Sequence, residues 1–116
     1  MAKDKMVESY EVWNSGGNIY VATGQLKSGE WFSTDIEFEC VIFLYKTEKA
    51  TWDDYGMDSE DFIRMIDPTT EESHAIFMEI FEEEKAKGTQ FWREFIEECE
   101  ADYIKNYVEQ EGNDDE

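Results

Sequence analysis

The chain has 116 residues, enough for one domain with a real core and too few for two ordinary ones. Thirty acidic residues against ten basic ones give a formal charge of −20, which disfavours DNA, RNA and anionic lipid as direct ligands and favours a basic protein surface. Four Trp, six Tyr and eight Phe supply a core, so the low mean hydropathy of −0.70 reflects abundant charge and not disorder.

The amino-terminal Met-Ala-Lys-Asp-Lys-Met-Val-Glu has no apolar stretch of the secretory kind, and the longest apolar run, residues 40–45, is too short to cross a bilayer. A cytoplasmic protein is expected. Short β-rich runs follow, separated by turn residues at hairpin distances. Residues 10–13 lead into Asn14-Ser15-Gly16-Gly17, a second run covers 19–26, and Lys27-Ser28-Gly29-Glu30 turns into Trp31. From Ile36 the pattern alternates, with Ile36, Phe38, Cys40, Ile42 and Leu44 on one face and Glu37 and Glu39 on the other. Val41, Phe43 and Tyr45 make the far end apolar on both faces, which predicts the central strand over 36–45.

Residues 46–58 read as a loop rich in charge and aromatic groups. Asp58 or Ser59 then caps a predicted short helix carrying Phe62, Ile63 and Ile66, ended by Pro68. Thr69 with Glu72 forms a capping box for a second helix, which Gly88 stops. A third helix begins near Thr89 and runs to about Glu109, with Trp92, Phe95, Ile96, Cys99, Tyr103 and Tyr107 on one face. Ile104 and Val108 lie off that seam and suggest either a dimer contact or a helix sandwiched between the sheet and the second helix, which needs no partner. Together these elements predict an α+β fold: a four-stranded antiparallel meander followed by one short and two longer helices packed on one sheet face. Residues 1–110 form one acidic domain in this reading, and 111–116 an acidic tail.

Cys40 and Cys99 lack C-x-x-C spacing and read as two reduced core residues. Glu71 and His74 make a Glu-x-x-His step of the di-iron type, but the chain has one histidine, so no metal is expected and His74 reads as a partly buried structural residue. No nucleophile motif, phosphate loop or calcium loop appears, and the chain is expected to be a cofactor-free binding protein and not an enzyme.

Two features point to a partner-binding surface. Glu94, Glu98 and Asp102 recur every four residues on the third helix, with Glu97 beside them, and Glu79, Glu82, Glu83 and Glu84 on the preceding helix suggest a second line of carboxylates. Such a row is either a solvated face or an array able to occupy a groove that binds nucleic-acid phosphates. The loop Trp52-Asp53-Asp54-Tyr55 places two aromatic rings beside two carboxylates, as interface anchors do; alternatively Trp52 and Tyr55 fold back over the core.

In general character, short and very acidic with no catalytic set, the chain resembles the nucleic-acid-mimicking inhibitors that phages and mobile elements use against restriction or CRISPR systems. That resemblance implies a stoichiometric anti-restriction or anti-CRISPR inhibitor whose partner is a basic nucleic-acid-binding protein. The other expectations are an immunity protein against a basic nuclease toxin, centred on Trp52 and Tyr55, and a dimeric acidic chaperone.

Overall fold

The structure is a computed structural model that describes residues 5–14, 16, 19–52 and 56–109. It separates into two compact units, Met1–Asp67 and Pro68–Glu116. The α+β class is borne out, with five strands where the sequence suggested four.

The first unit holds a five-stranded antiparallel sheet in which strand order equals chain order: β1 (Val7–Asn14), β2 (Tyr20–Leu26), β3 (Trp31–Asp35), β4 (Ile42–Tyr45) and β5 (Phe62–Ile66). The β2–β3 turn is closed by Leu26 N–H donating to Glu30 O (2.8 Å) and Gly29 N–H donating to Leu26 O (2.9 Å). Register aligns Val12 with Ala22 and Thr34, Phe32 with Leu44, and Ile42 with Ile66. On that shared face Ala22, Phe32, Ile42, Leu44 and Ile66 are all buried.

The long strand predicted over 36–45 is interrupted. The Asp35 carboxylate accepts from the backbone N–H groups of Glu37 (3.2 Å), Phe38 (2.7 Å) and Cys40 (3.3 Å), turning the chain out of the ladder. Cys40 takes a left-handed φ of 58°, and pairing resumes only at Ile42. Cys40 is thus a buried loop residue, Phe38 is exposed at 59 %, and β3, not β4, is the middle strand.

The short helix also lies elsewhere. Residues 62–66 pair with β4 as a strand, Phe43 opposite Met65 and Leu44 opposite Arg64. Ladder hydrogen bonds override periodicity in so short an apolar run, whose β-branched and aromatic residues suit a sheet. The helix is α1 (Glu48–Trp52), inside the segment read as loop. Thr47 starts it, its hydroxyl accepting from Ala50 N–H and donating to Asp61 Oδ2. A 3-10 turn over Gly56–Asp58 precedes β5.

The second unit contains α2 (Glu71–Lys87) and α3 (Gln90–Tyr103), which continues into a π turn at Ile104–Val108. The α2 cap is Thr70, one residue beyond the predicted Thr69, and its side chain accepts from Ser73 N–H. Gly88 does end the helix, but with an extended backbone and not a left-handed one. A Cβ there would collide with the Trp92 ring and lie 3.1 Å from Glu84 O, so glycine serves the close approach of α3. The third helix does begin next to Thr89, which caps it by accepting from Trp92 N–H.

Ile76, Phe77, Ile80, Phe81, Ile96, Cys99 and Tyr103 are buried in this unit. The Tyr103 ring stacks on Phe77 at 4.6 Å and meets His74 edge-on at 5.8 Å. Its hydroxyl donates to Pro68 O (2.9 Å), so the 2.8 Å contact with Ser73 Oγ has Ser73 as donor. The π turn changes the phase of the last helical residues, and Ile104 and Val108 come out half-buried, not an exposed pair.

Candidate functional site

The acidic residues of α2 and α3 fare differently. On α2, Glu79 is half-buried, Glu82 lies 3.9 Å from Lys85 Nζ, and Glu83 lies 4.0 Å from Lys87 Nζ. Glu84 is buried at 6 % exposure, where it accepts from Trp92 Nε1 at 3.0 Å and pairs with Lys87 at 3.2 Å. The carboxylates of α2 are therefore largely met by its own carboxy-terminal lysines and by α3. Lys85 also reaches across to Glu100 at 2.7 Å, and that acceptor raises the Lys85 ammonium pKa despite opposing desolvation.

On α3 the row remains open. Glu94, Glu97, Glu98 and Asp102 are all exposed. Glu94 accepts only a neutral hydrogen bond, from Gln90 Nε2 at 2.7 Å, and neither Glu98 nor Asp102 has an ion-pair partner among the described residues. Their four-residue spacing puts successive carboxylates roughly 6 Å apart along one stripe, where like charges oppose the helix by about 0.2–0.5 kcal/mol per pair. Regular spacing, exposure and the lack of ion-pair partners among the described residues leave the carboxylates of the stripe open to hydrogen-bond donors from solvent.

Trp52 lies in the first unit, at the end of α1. Its ring stacks on Trp13 of β1 with centroids 4.8 Å apart, yet it stays 47 % exposed. It is thus both packed and available, combining the two sequence readings. Asp53, Asp54 and Tyr55 fall outside the described residues.

Beside Trp52 is a groove of about 200 Å³ that the sequence did not announce. Glu48, Thr51 and Trp52 of α1 line it together with residues of three successive strands, Glu11, Thr23 and Trp31 among them. The buried hydroxyls in its walls each have a partner: Thr23 Oγ1 accepts from Trp13 Nε1 at 3.1 Å, and Thr51 Oγ1 donates to Glu48 O at 2.6 Å. Gly24 also lines it, and a Cβ there would strike Ser9 O and lie 2.6 Å from Tyr10 Cα, so β1 and β2 approach as closely as they do only without one. A signal for the groove did exist in the aromatic residues of β1 and β3, but it needed α1 to be placed over the sheet.

His74 is half-buried, and its Nε2 is buried without a hydrogen-bond partner. No group of three or more His, Cys, Asp or Glu able to hold a metal occurs among the described residues, and no helix there is long and apolar enough to cross a membrane. Cys40 and Cys99 are buried free thiols. Comparison of the chain with protein-family models, with curated proteins and with solved structures returns no match.

Proposed function

We propose that the chain is a cytoplasmic inhibitor that binds a basic, nucleic-acid-processing protein and blocks its nucleic-acid channel by stoichiometric occupancy, as a phage or mobile element would use against a restriction or CRISPR effector. The observation that carries this reading is the stripe Glu94, Glu98 and Asp102, exposed, one helical turn apart and without an ion-pair partner among the described residues. Proteins bind nucleic-acid phosphates largely through Lys and Arg, with little regard to base sequence, and those side chains accept a carboxylate stripe equally well. Inhibition of this kind needs no cofactor and turns nothing over.

The test is capture from a bacterial lysate on the immobilised chain, washed at low and high salt and eluted with duplex DNA or single-stranded RNA. One nucleic-acid-processing protein is expected to be retained and displaced by nucleic acid. The variant E94K/E98K/D102K, with its fold verified by circular dichroism, should retain none of it. Equal retention by that variant would remove the stripe from the mechanism.

A second reading, an immunity protein against a basic nuclease toxin, is favoured by the half-exposed Trp52 stacked on Trp13. Under it, Trp52→Ala weakens nuclease binding more than any single acid-to-amide change on α3.

A further inference from the structure

We propose that the groove beside α1 is a binding site for a guanidinium group, filled by an arginine side chain of a partner protein. The site uses residues of the first unit only, and of the preceding proposal it needs no more than a basic partner.

Three properties select the ligand. First, the open acceptors are Glu11 and Glu48, two exposed carboxylates that line the groove, neither with an ion-pair or side-chain hydrogen-bond partner among the described residues. With two carboxylates and no Lys or Arg among its lining residues, the groove suits a group that donates hydrogen bonds and carries positive charge. An anion is repelled, and a neutral group leaves both carboxylates uncompensated. Second, Trp31 and Trp52 supply indole surface at the same place, and Trp52 is held in position by its stack on Trp13. Cations bind over such rings, and the flat guanidinium adds stacking that a tetrahedral ammonium does not. Third, the two carboxylates come from different elements, β1 and α1. A planar fork of five N–H donors addresses two separated acceptors, a lysine ammonium is a compact and strongly hydrated point charge, and a quaternary ammonium has no N–H to donate. Gly24 contributes by omission, because its missing side chain permits the close β1–β2 approach beside the groove.

The experiment titrates a doubly blocked Gly-Arg-Gly tripeptide into the full chain, followed by indole N–H shifts in ¹H–¹⁵N spectra and by tryptophan fluorescence. The same peptide with citrulline, the neutral isostere of arginine, the same peptide with lysine, and tetramethylammonium chloride serve as competitors of known chemistry. Saturable shifts are expected with arginine, with affinity at least about tenfold weaker for citrulline and weaker for lysine and tetramethylammonium. E11Q/E48Q should lower arginine affinity by at least about tenfold with an unchanged circular dichroism spectrum, since both residues are exposed. E94Q/E98Q/D102Q should leave it within about twofold, because none of these three residues lines the groove. Citrulline binding as tightly as arginine, lysine or tetramethylammonium binding more tightly, or no saturable shift in the folded chain would each overturn the assignment. Because the α3 stripe is tested on lysate capture and the groove on a peptide, either can fail alone.

Discussion

Tyr103 ties the second unit together through both ends of its side chain. Its ring lies against Phe77, Phe81, His74 and Tyr107, while its hydroxyl is shared between Pro68 O and Ser73 Oγ. The hydroxyl network is dry, with Tyr103 at 1 % and Ser73 at 0 % exposure. Tyr103→Phe keeps the ring and strands two buried polar partners, so it is expected to destabilise the protein by about 1–3 kcal/mol in urea unfolding. Loss below a few tenths would show that the hydroxyl contributes nothing net. The seam to which Tyr103 belongs was legible because Trp92, Ile96, Cys99 and Tyr103 repeat at helical spacing over three turns. Cys40 was not, because its left-handed backbone is set by the carboxylate of Asp35 five residues away and leaves no mark on the hydrophobic pattern.

At the scale of elements, β5 is fastened to the sheet by more than its ladder with β4. Arg64 donates to both Glu30 oxygens, at 3.2 Å from Nε and 3.1 Å from Nη2, spanning β4 to reach the residue that precedes β3. The Arg64 hydrogen bond, followed by a smaller contribution from Ser28, lowers the Glu30 pKa below its ordinary 4.5, against partial desolvation. A lowered folded-state value means that the unfolded chain binds the proton more readily. The contribution is therefore complete above pH 4.5 and is lost as pH falls below it through the folded value. Arg64 is 44 % exposed, so solvent screening limits the bridge to at most about 1 kcal/mol. Arg64→Gln should lower stability by that order at pH 7 and by nothing once Glu30 is protonated in both states. A deficit that persists unchanged into acid would mean that the arginine acts through packing alone. The same strand shows where sequence reading stops. Five residues containing Phe62, Ile63 and Ile66 satisfy a helical and an extended pattern alike, and only Ile42–Tyr45, some twenty positions away, decides between them. The groove was hidden for the same reason, since Glu11, Trp31 and Glu48 are brought together by pairing and not by spacing.

For the whole molecule the dominant quantity is charge. The span Pro68–Glu116 carries sixteen acidic and four basic residues, and Met1–Asp67 carries fourteen and six. Repulsion of this kind is relieved when the screening length falls from about 30 Å at 0.01 M salt to about 8 Å at 0.15 M. The melting temperature is expected to rise by about 5 °C over that interval in calorimetry. Association with a basic partner should weaken over the same interval, so opposite salt dependences separate folding from recognition in one buffer series. A melting temperature indifferent to salt would mean that cross-helix pairs such as Lys85–Glu100 already compensate the field.

The order of the sheet also bears on how the chain is made. Every strand pairs with the one synthesised just before it, so each hairpin can close as soon as its second strand leaves the ribosome, and no strand must wait for a distant mate. The β4–β5 step has the longest connection, residues 46–61, and α1 forms within that interval. Assembly can thus proceed vectorially, and during a pause in translation over residues 46–61 the apolar strand Ile42–Tyr45 would stand as a temporary sheet edge until β5 covers it.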